Sequence, residues 1–327
     1  MTKSILTKKI LHWYDNNKRS LPWRKKFSQV KREYYTLVSE FMLQQTQVAT
    51  VIPYFNNFIK DIPNVSSLAK INENKLLKYW EGLGYYSRVK NLKKTAQVIV
   101  KDFNKNLPSN FLELKSLPGV GDYTASAISA IAFNKPFIPL DGNVERVLKR
   151  YLYLKKENQI TKENLHKEKK IFGLASRSAD YAQALMELGA LICKPNNPNC
   201  NLCPISANCI SFKKKDFVLK KIKKKNKEKY YLLKVFKKNQ KYLVVKNTQF
   251  NFLKDFDIFP MQEIIKPKNF HKDLNIKLSN MNMNIKIEYN NLAKTVITTN
   301  WIDPKNLHNY TLPTFTKKIV NYLENHK

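Results

Sequence analysis

Apolar residues recur at spacings of three and four through Tyr35–Val48, Lys75–Trp80, Leu92–Val100, Tyr123–Phe133, Val144–Leu154 and Tyr181–Cys193, the pattern of helices that bury one face. The N-terminal stretch MTKSILTKKILHWYDNNKR also reads as an amphipathic helix, without the uninterrupted apolar core of a secretion signal. Pro and Gly punctuate the runs, as at Ile62-Pro63 and Leu117-Pro118-Gly119. After Cys209 the texture changes. Residues 213–228 hold nine Lys and two acids and read as a solvated connector. Beyond it the runs are short and β-rich: Tyr230–Phe236, Tyr242–Lys246 and Met281–Glu288, in which Met281, Met283, Ile285 and Ile287 share one face of a strand. The expected organisation is a mainly α domain over 1–212, a basic linker over 213–228 and a smaller α+β domain over 229–327.

A length of 327 residues suits about two domains. At 43% hydrophobic the chain can bury a sizeable core, and no run of 18 apolar residues offers a membrane span. The formal charge is +34, which points to an anionic partner, nucleic acid first. It is carried by 52 Lys and only 7 Arg, beside 36 Asn. Codon drift toward A and T produces the same bias, so the charge permits nucleic acid without identifying it. It divides as +17 before and +17 after residue 212, and all seven Gly and all seven Arg lie in the first part.

The four cysteines fall in one stretch, Cys193-x6-Cys200-x2-Cys203-x5-Cys209. Two disulfides do not suit a chain without a secretion signal. Four thiolates this close converge on one tetrahedral ion or one cubane cluster, and spacing alone leaves zinc and iron–sulfur both open. Between two helical runs stands Leu117-Pro-Gly-Val-Gly-Asp-Tyr-Thr-Ala125. Gly119 and Gly121 permit positive φ and close backbone approach, so N–H groups at the next helix start can hold a DNA phosphate without reading sequence. An ordinary interhelical turn is the plainer alternative.

The hairpin, Leu140-Asp-Gly-Asn-Val144 and the cysteine spacing are similar to the endonuclease III superfamily of DNA glycosylases, whose cysteines hold a [4Fe–4S] cluster. Three further stretches resemble the adenine DNA glycosylase family: Leu21-Pro-Trp-Arg24, Ser39-Glu-Phe-Met-Leu-Gln-Gln-Thr-Gln-Val48 and Trp80-Glu-Gly-Leu-Gly-Tyr-Tyr-Ser-Arg88. More loosely, Trp301–Leu323 resembles that family's C-terminal domain, which is nudix-like and recognises 8-oxoguanine.

The resemblance implies a helix–hairpin–helix glycosylase that removes adenine mispaired with 8-oxoguanine or guanine in double-stranded DNA. Glu40 matches the general acid, Asp141 the carboxylate that stabilises the cationic sugar, and Asn143 a neighbour that fixes the site. Tyr123 stands where relatives that cut the backbone carry a catalytic Lys, which implies a monofunctional enzyme. Arg19, Arg24 and Gln183 match positions near the flipped adenine. Gln45 and Tyr85 match wedges beside the lesion, and Thr46 and Leu83 its neighbours. Cys193, Cys200, Cys203 and Cys209 are the expected cluster ligands. The implied protein is a monomer in the cytoplasm, at the nucleoid, with no membrane partner.

Three departures stand out. The chain between Trp23 and Glu40 is about three residues longer than usual, and Glu33 replaces a Pro before Tyr34. Leu278-Ser279-Asn280 takes the place of a Phe-Ser-His loop, leaving Ser279 and Asn280 as candidate lesion contacts. A thymine or uracil mismatch glycosylase, which can share Tyr123, and a non-catalytic lesion-sensing DNA-binding protein are the alternatives. Absence of Gly after Gly189 excludes nudix hydrolysis itself.

Overall fold

A computed structural model describes residues 3–219, 226–290 and 299–326; residues 220–225 of the expected connector lie outside the described residues. In chain order its α-helices are α1 (Lys3–Asn17), α2 (Gln29–Leu43), α3 (Val48–Asp61), α4 (Val65–Lys70), α5 (Glu73–Tyr79), α6 (Ser87–Asp102), α7 (Phe111–Ser116), α8 (Asp122–Ile131), α9 (Gly142–Tyr151), α10 (Lys162–Glu168), α11 (Ser178–Glu187), α12 (Ile210–Lys213) and α13 (Thr314–Asn325). Two compact units emerge: Met1–Ile71 with Ser87–Lys221, and Asn72–Tyr86 with Ile222–Lys327.

In the first unit, α2 is the interior helix. Every residue from Tyr34 to Met42 is buried, so it is covered on all sides rather than along one stripe. It packs against α3, α6 and α8. Helix α8 is rich in small residues, and Ala125, Ser126, Ala127, Ser129 and Ala130 are all buried. A second core joins α1, α9 and α11 through Ile10, Tyr14, Val147, Leu148, Tyr181 and Leu185. Burial of each such large side chain stabilises the fold by about 1.5–3 kcal/mol.

Two expected helical runs prove to be interrupted. Tyr35–Val48 splits where α2 ends at Leu43 and α3 begins at Val48. The break is made by Gln45 at φ 57°, after which the Thr46 N–H closes on Leu43 O at 3.2 Å. Tyr181–Cys193 passes from α11 into a π turn over Leu188–Ile192. Gly189 permits this turn, because a Cβ there would stand 2.6 Å from Asn143 Cβ. The hairpin between α7 and α8 forms as expected, with one difference. Gly119 has φ 77°, whereas Gly121 has φ −94° and ordinary extended backbone.

The second unit contains strands β1 (Lys227–Val235), β2 (Lys237–Lys238), β3 (Lys241–Lys246), β4 (Asp257–Ile258), β5 (Met261–Ile264), β6 (Leu274–Leu278), β7 (Met281–Tyr289) and β8 (Thr299–Ile302). One sheet has the order β5-β1-β7-β6, with β1 and β7 parallel and Tyr231 opposite Ile285. In the other, β3 pairs antiparallel with β2, β4 and β8. The alternation read in Met281–Glu288 does turn Met283 and Ile285 into the core. There they join Leu233, Val244 and Phe259 with Phe315, Ile319 and Leu323 of α13. Residues 72–86 belong to this unit: the Tyr86 and Phe256 rings lie 4.4 Å apart, and Lys317 pairs with Glu81 at 2.6 Å.

Candidate active site

A cleft of about 480 Å³ opens in the first unit, walled by residues of α2, α8, α9 and α11. It brings together Glu40, Tyr123, Asp141, Asn143, Arg19, Arg24, Gln45, Thr46 and Gln183, nine of the residues expected from sequence. Among the described residues that line it there is no lysine.

Glu40 sits near the end of the interior helix, 5% exposed, and its Oε2 has no hydrogen-bond partner. Desolvation pushes its carboxyl up to about 7; the Tyr123 hydroxyl opposes this and the Asp141 carboxylate adds to it. Asp141 caps α9, accepting the Val144 N–H at 2.7 Å through Oδ1 and the Asn143 amide at 2.9 Å through Oδ2. Burial raises the Asp141 carboxyl above its ordinary value, while those two donors pull it back toward the ionised form. Asn143 is fixed in turn by Arg146, whose Nη2 donates to Asn143 Oδ1 at 2.7 Å and to Gly189 O at 2.8 Å. Arg146 Nε donates to Cys193 O at 2.7 Å, so one guanidinium joins the cleft to the first cysteine.

The floor of the cleft holds a residue that sequence reasoning missed. Glu187 is fully buried and accepts Nε and Nη2 of Arg19 at 2.8 Å each, and Nη1 of Arg24 at 2.6 Å. Burial alone would raise its carboxyl; the two guanidiniums win and hold it below the usual value. Its signal was a lone acid inside the apolar run Tyr181–Cys193, where an unpaired charge is too costly to bury. Gln183 lies one turn earlier, its amide donating to Ala179 O at 3.0 Å.

The remaining expected residues lie elsewhere. Gly119 and Gly121 form the α7–α8 turn. A Cβ on Gly119 would meet Asn91 Cβ at 2.8 Å, whereas Gly121 faces open space. Leu83 and Tyr85 belong to the second unit, on the loop after α5: Leu83 is buried, and Tyr85 is 44% exposed with φ 48°. Ser279 and Asn280 are the two-residue turn of the β6–β7 hairpin, Ser279 taking φ 56°.

Cys193, Cys200, Cys203 and Cys209 line one cavity with Val147, Tyr151 and Leu188 behind them. Among the described residues no three Cys, His, Asp or Glu side chains are grouped to hold a single metal ion. Four cysteines that line one cavity are a donor set that suits a metal ion or a metal cluster. Arg150, 3% exposed, binds the loop: it donates to Cys193 Sγ at 3.4 Å, Lys194 O at 2.6 Å and Pro195 O at 2.8 Å. Burial, with repulsion from the other three cysteines, pushes the Cys203 thiol up to about 12, a cost that a bound metal would relieve.

A family described as HhH-GPD superfamily base excision DNA repair protein matches residues 38–171. Among solved structures, a thermostable thymine-DNA glycosylase superposes with TM-score 0.57 at 26% identity, covering 65% of this chain and 97% of that one. A trapped endonuclease III–DNA covalent intermediate gives TM-score 0.53 at 20% identity, covering 66% of this chain and 99% of that one; at that identity the likeness is one of fold. The human adenine DNA glycosylase is 40% identical over 211 residues, 61% of this chain and 38% of that protein. The adenine DNA glycosylase of Buchnera aphidicola subsp. Schizaphis graminum (strain Sg) is 34% identical over 98% of this chain and 99% of its own length. Similarity of that extent runs past the helical fold and through the second unit as well, and the chain belongs to the adenine DNA glycosylase family.

Proposed function

We propose that this chain is a base-excision-repair glycosylase that hydrolyses the N-glycosidic bond of adenine mispaired with 8-oxoguanine or guanine in duplex DNA, without cutting the strand. The observation that carries the reading is Glu40, a carboxyl buried in a cleft and poised to titrate near neutral pH. Adenine leaves poorly as an anion. Protonated at N7 by Glu40, it departs neutral as the C1′–N9 bond breaks, and the sugar is left as an oxocarbenium-like cation. Asp141, capped by Val144 and Asn143, faces that charge. An anion about 4 Å from a cation is worth roughly 4 kcal/mol at an effective dielectric near 20, or on the order of a thousandfold in rate. Water then adds at C1′, and its proton returns to the Glu40 carboxylate.

Tyr123 offers no amine, and with no lysine lining the described cleft a Schiff base with the sugar has no donor; this supports a monofunctional reaction. Arg19, Arg24 and Gln183 are proposed to meet the extruded adenine, with Glu187 holding both guanidiniums. Gln45, Thr46, Leu83 and Tyr85 are proposed to enter the stack beside the lesion, and Gly119 and Gly121 to meet phosphate. The four cysteines are proposed to hold a [4Fe–4S] cluster, which when bound ties the end of the helical domain together. The turn Ser279-Asn280 of a nudix-like second domain is the candidate reader of 8-oxoguanine.

A second reading, thymine excision, has one observation in its favour: the superposition with a thymine-DNA glycosylase. Incubation with duplexes carrying each mispair, followed by alkali, separates the two. We expect strand breaks at adenine opposite 8-oxoguanine and guanine, and intact strands when alkali is withheld. Breaks only at thymine opposite guanine would defeat the adenine reading, and breaks without alkali the monofunctional one.

A further inference from the structure

Because α2 stops at Leu43, the carbonyls of its last turn have no partner within the helix. The guanidinium of Arg88, from the first turn of α6, enters that gap. Its Nη1 lies 3.2 Å from Phe41 O, 2.7 Å from Met42 O, 2.5 Å from Gln44 O and 3.1 Å from Thr46 Oγ1. The two hydrogens of Nη1 are shared among these four acceptors, and Arg88 is 6% exposed, so the contacts are charge-assisted in a dry setting, at the negative end of a helix dipole. The loop it grips contains Gln45 in left-handed backbone at φ 57°. That conformation is disfavoured for a residue with a side chain, and here the clamp holds the loop in it.

We propose that Arg88 is a positioning residue for base extrusion. By tying Gln44 O and Thr46 Oγ1 to the end of α2, it presets the shape in which Gln45 and Thr46 fill the duplex as adenine leaves the stack. The inference rests on the adenine-glycosylase reading above and names a group that reading does not use. Arg88 touches no reacting atom. The groups acting on the Glu40 carboxyl are Tyr123, Asp141 and Arg24, so Arg88 governs extrusion and leaves proton donation alone.

The test compares single-turnover adenine release by the full chain from two duplexes. In one, adenine faces 8-oxoguanine; in the other it faces an abasic site, where extrusion costs less. Arg88→Met is expected to slow release from the mispair about 10- to 100-fold, and from the abasic duplex by no more than about threefold. Arg88→Lys, which keeps the charge without the reach, should fall between, and the midpoint of the pH–rate curve should stay where it is in the parent protein. Equal slowing on both duplexes, a moved pH midpoint or no slowing at all would overturn the proposal. Should Arg88→Met not fold, Arg88→Lys carries the test, with selective slowing on the mispair expected and equal slowing on both duplexes overturning the proposal. Failure of the unsubstituted protein to release adenine from either duplex would instead remove the glycosylase reading, and this inference with it.

Discussion

Glu40 is buried where its charge is unwelcome, and that single fact has two measurable consequences. Its carboxyl ordinarily titrates near 4.5 and is pushed up to about 7 here. The donating form therefore persists to neutral pH, and single-turnover adenine release should decline as pH rises through about 7. Glu40→Gln keeps the shape and loses the proton, so release should fall about 10²- to 10⁴-fold below the parent's rate at pH values under about 7. Stability moves the other way. Between pH 4.5 and 7 the unfolded chain gives up this proton while the folded chain keeps it, so rising pH works against folding throughout that window. The accumulated penalty at pH 8 is on the order of 3 kcal/mol. Glu40→Gln removes it, so the variant should melt at a higher temperature than the parent at pH 8 and close to the parent at pH 4.5. Thermal denaturation at the two pH values checks this; equal melting at both would show that burial does not strain the carboxyl.

At the level of elements, the decisive contact is between the π turn after α11 and the start of α9. Gly189 packs against Asn143, and Asn143 holds Asp141 at one end and Arg146 at the other. A methyl group at 189 would meet Asn143 O at 2.8 Å as well as its Cβ, so the backbone of α9 must give. Gly189→Ala should cost about 1–3 kcal/mol of stability, the usual effect of overpacking. It should also lower the rate of adenine release while leaving affinity for mispaired duplex nearly unchanged. Single-turnover rates beside equilibrium binding test the split, and a loss confined to affinity would refute it. What was readable of these elements followed from local signals. The Pro-Gly-Val-Gly hairpin and the alternation of β7 were visible in the chain. Helix α3 and the Gln44–Gln47 break were not. Pro53 lies inside α3 and masks the stripe Val51, Phe55, Phe58; the break lies within a periodic run that the apolar pattern carries straight through. Glu187, Arg88, Arg146 and Arg150 escaped for another reason: each has partners more than 40 residues away in sequence, and no local pattern announces them.

Across the whole molecule, the scarcity of arginine becomes informative once six of the seven side chains are followed. Arg19 and Arg24 hold Glu187, Arg88 holds the loop after α2, Arg146 and Arg150 hold the cysteine stretch, and Arg177 pairs with Asp15 and Asp180. Planar, multidentate cations do the bracing, which leaves the 52 Lys to act from the surface. Lysine is a hydrated point charge, and its attraction to phosphate is screened by salt. Affinity for duplex should therefore fall steeply with ionic strength, by about a thousandfold between about 50 and about 200 mM salt if some six phosphates are engaged. The chemical step should behave differently. In the proposed mechanism Glu40 and Asp141 act inside a cleft, where salt screens little, so adenine release from duplex already bound should change by less than about twofold over the same range. Titrating affinity and single-turnover rate against salt on one mispaired duplex separates the two. A rate that tracked affinity would mean that surface lysines take part in the reacting geometry, and that the division of labour between the two cations does not hold.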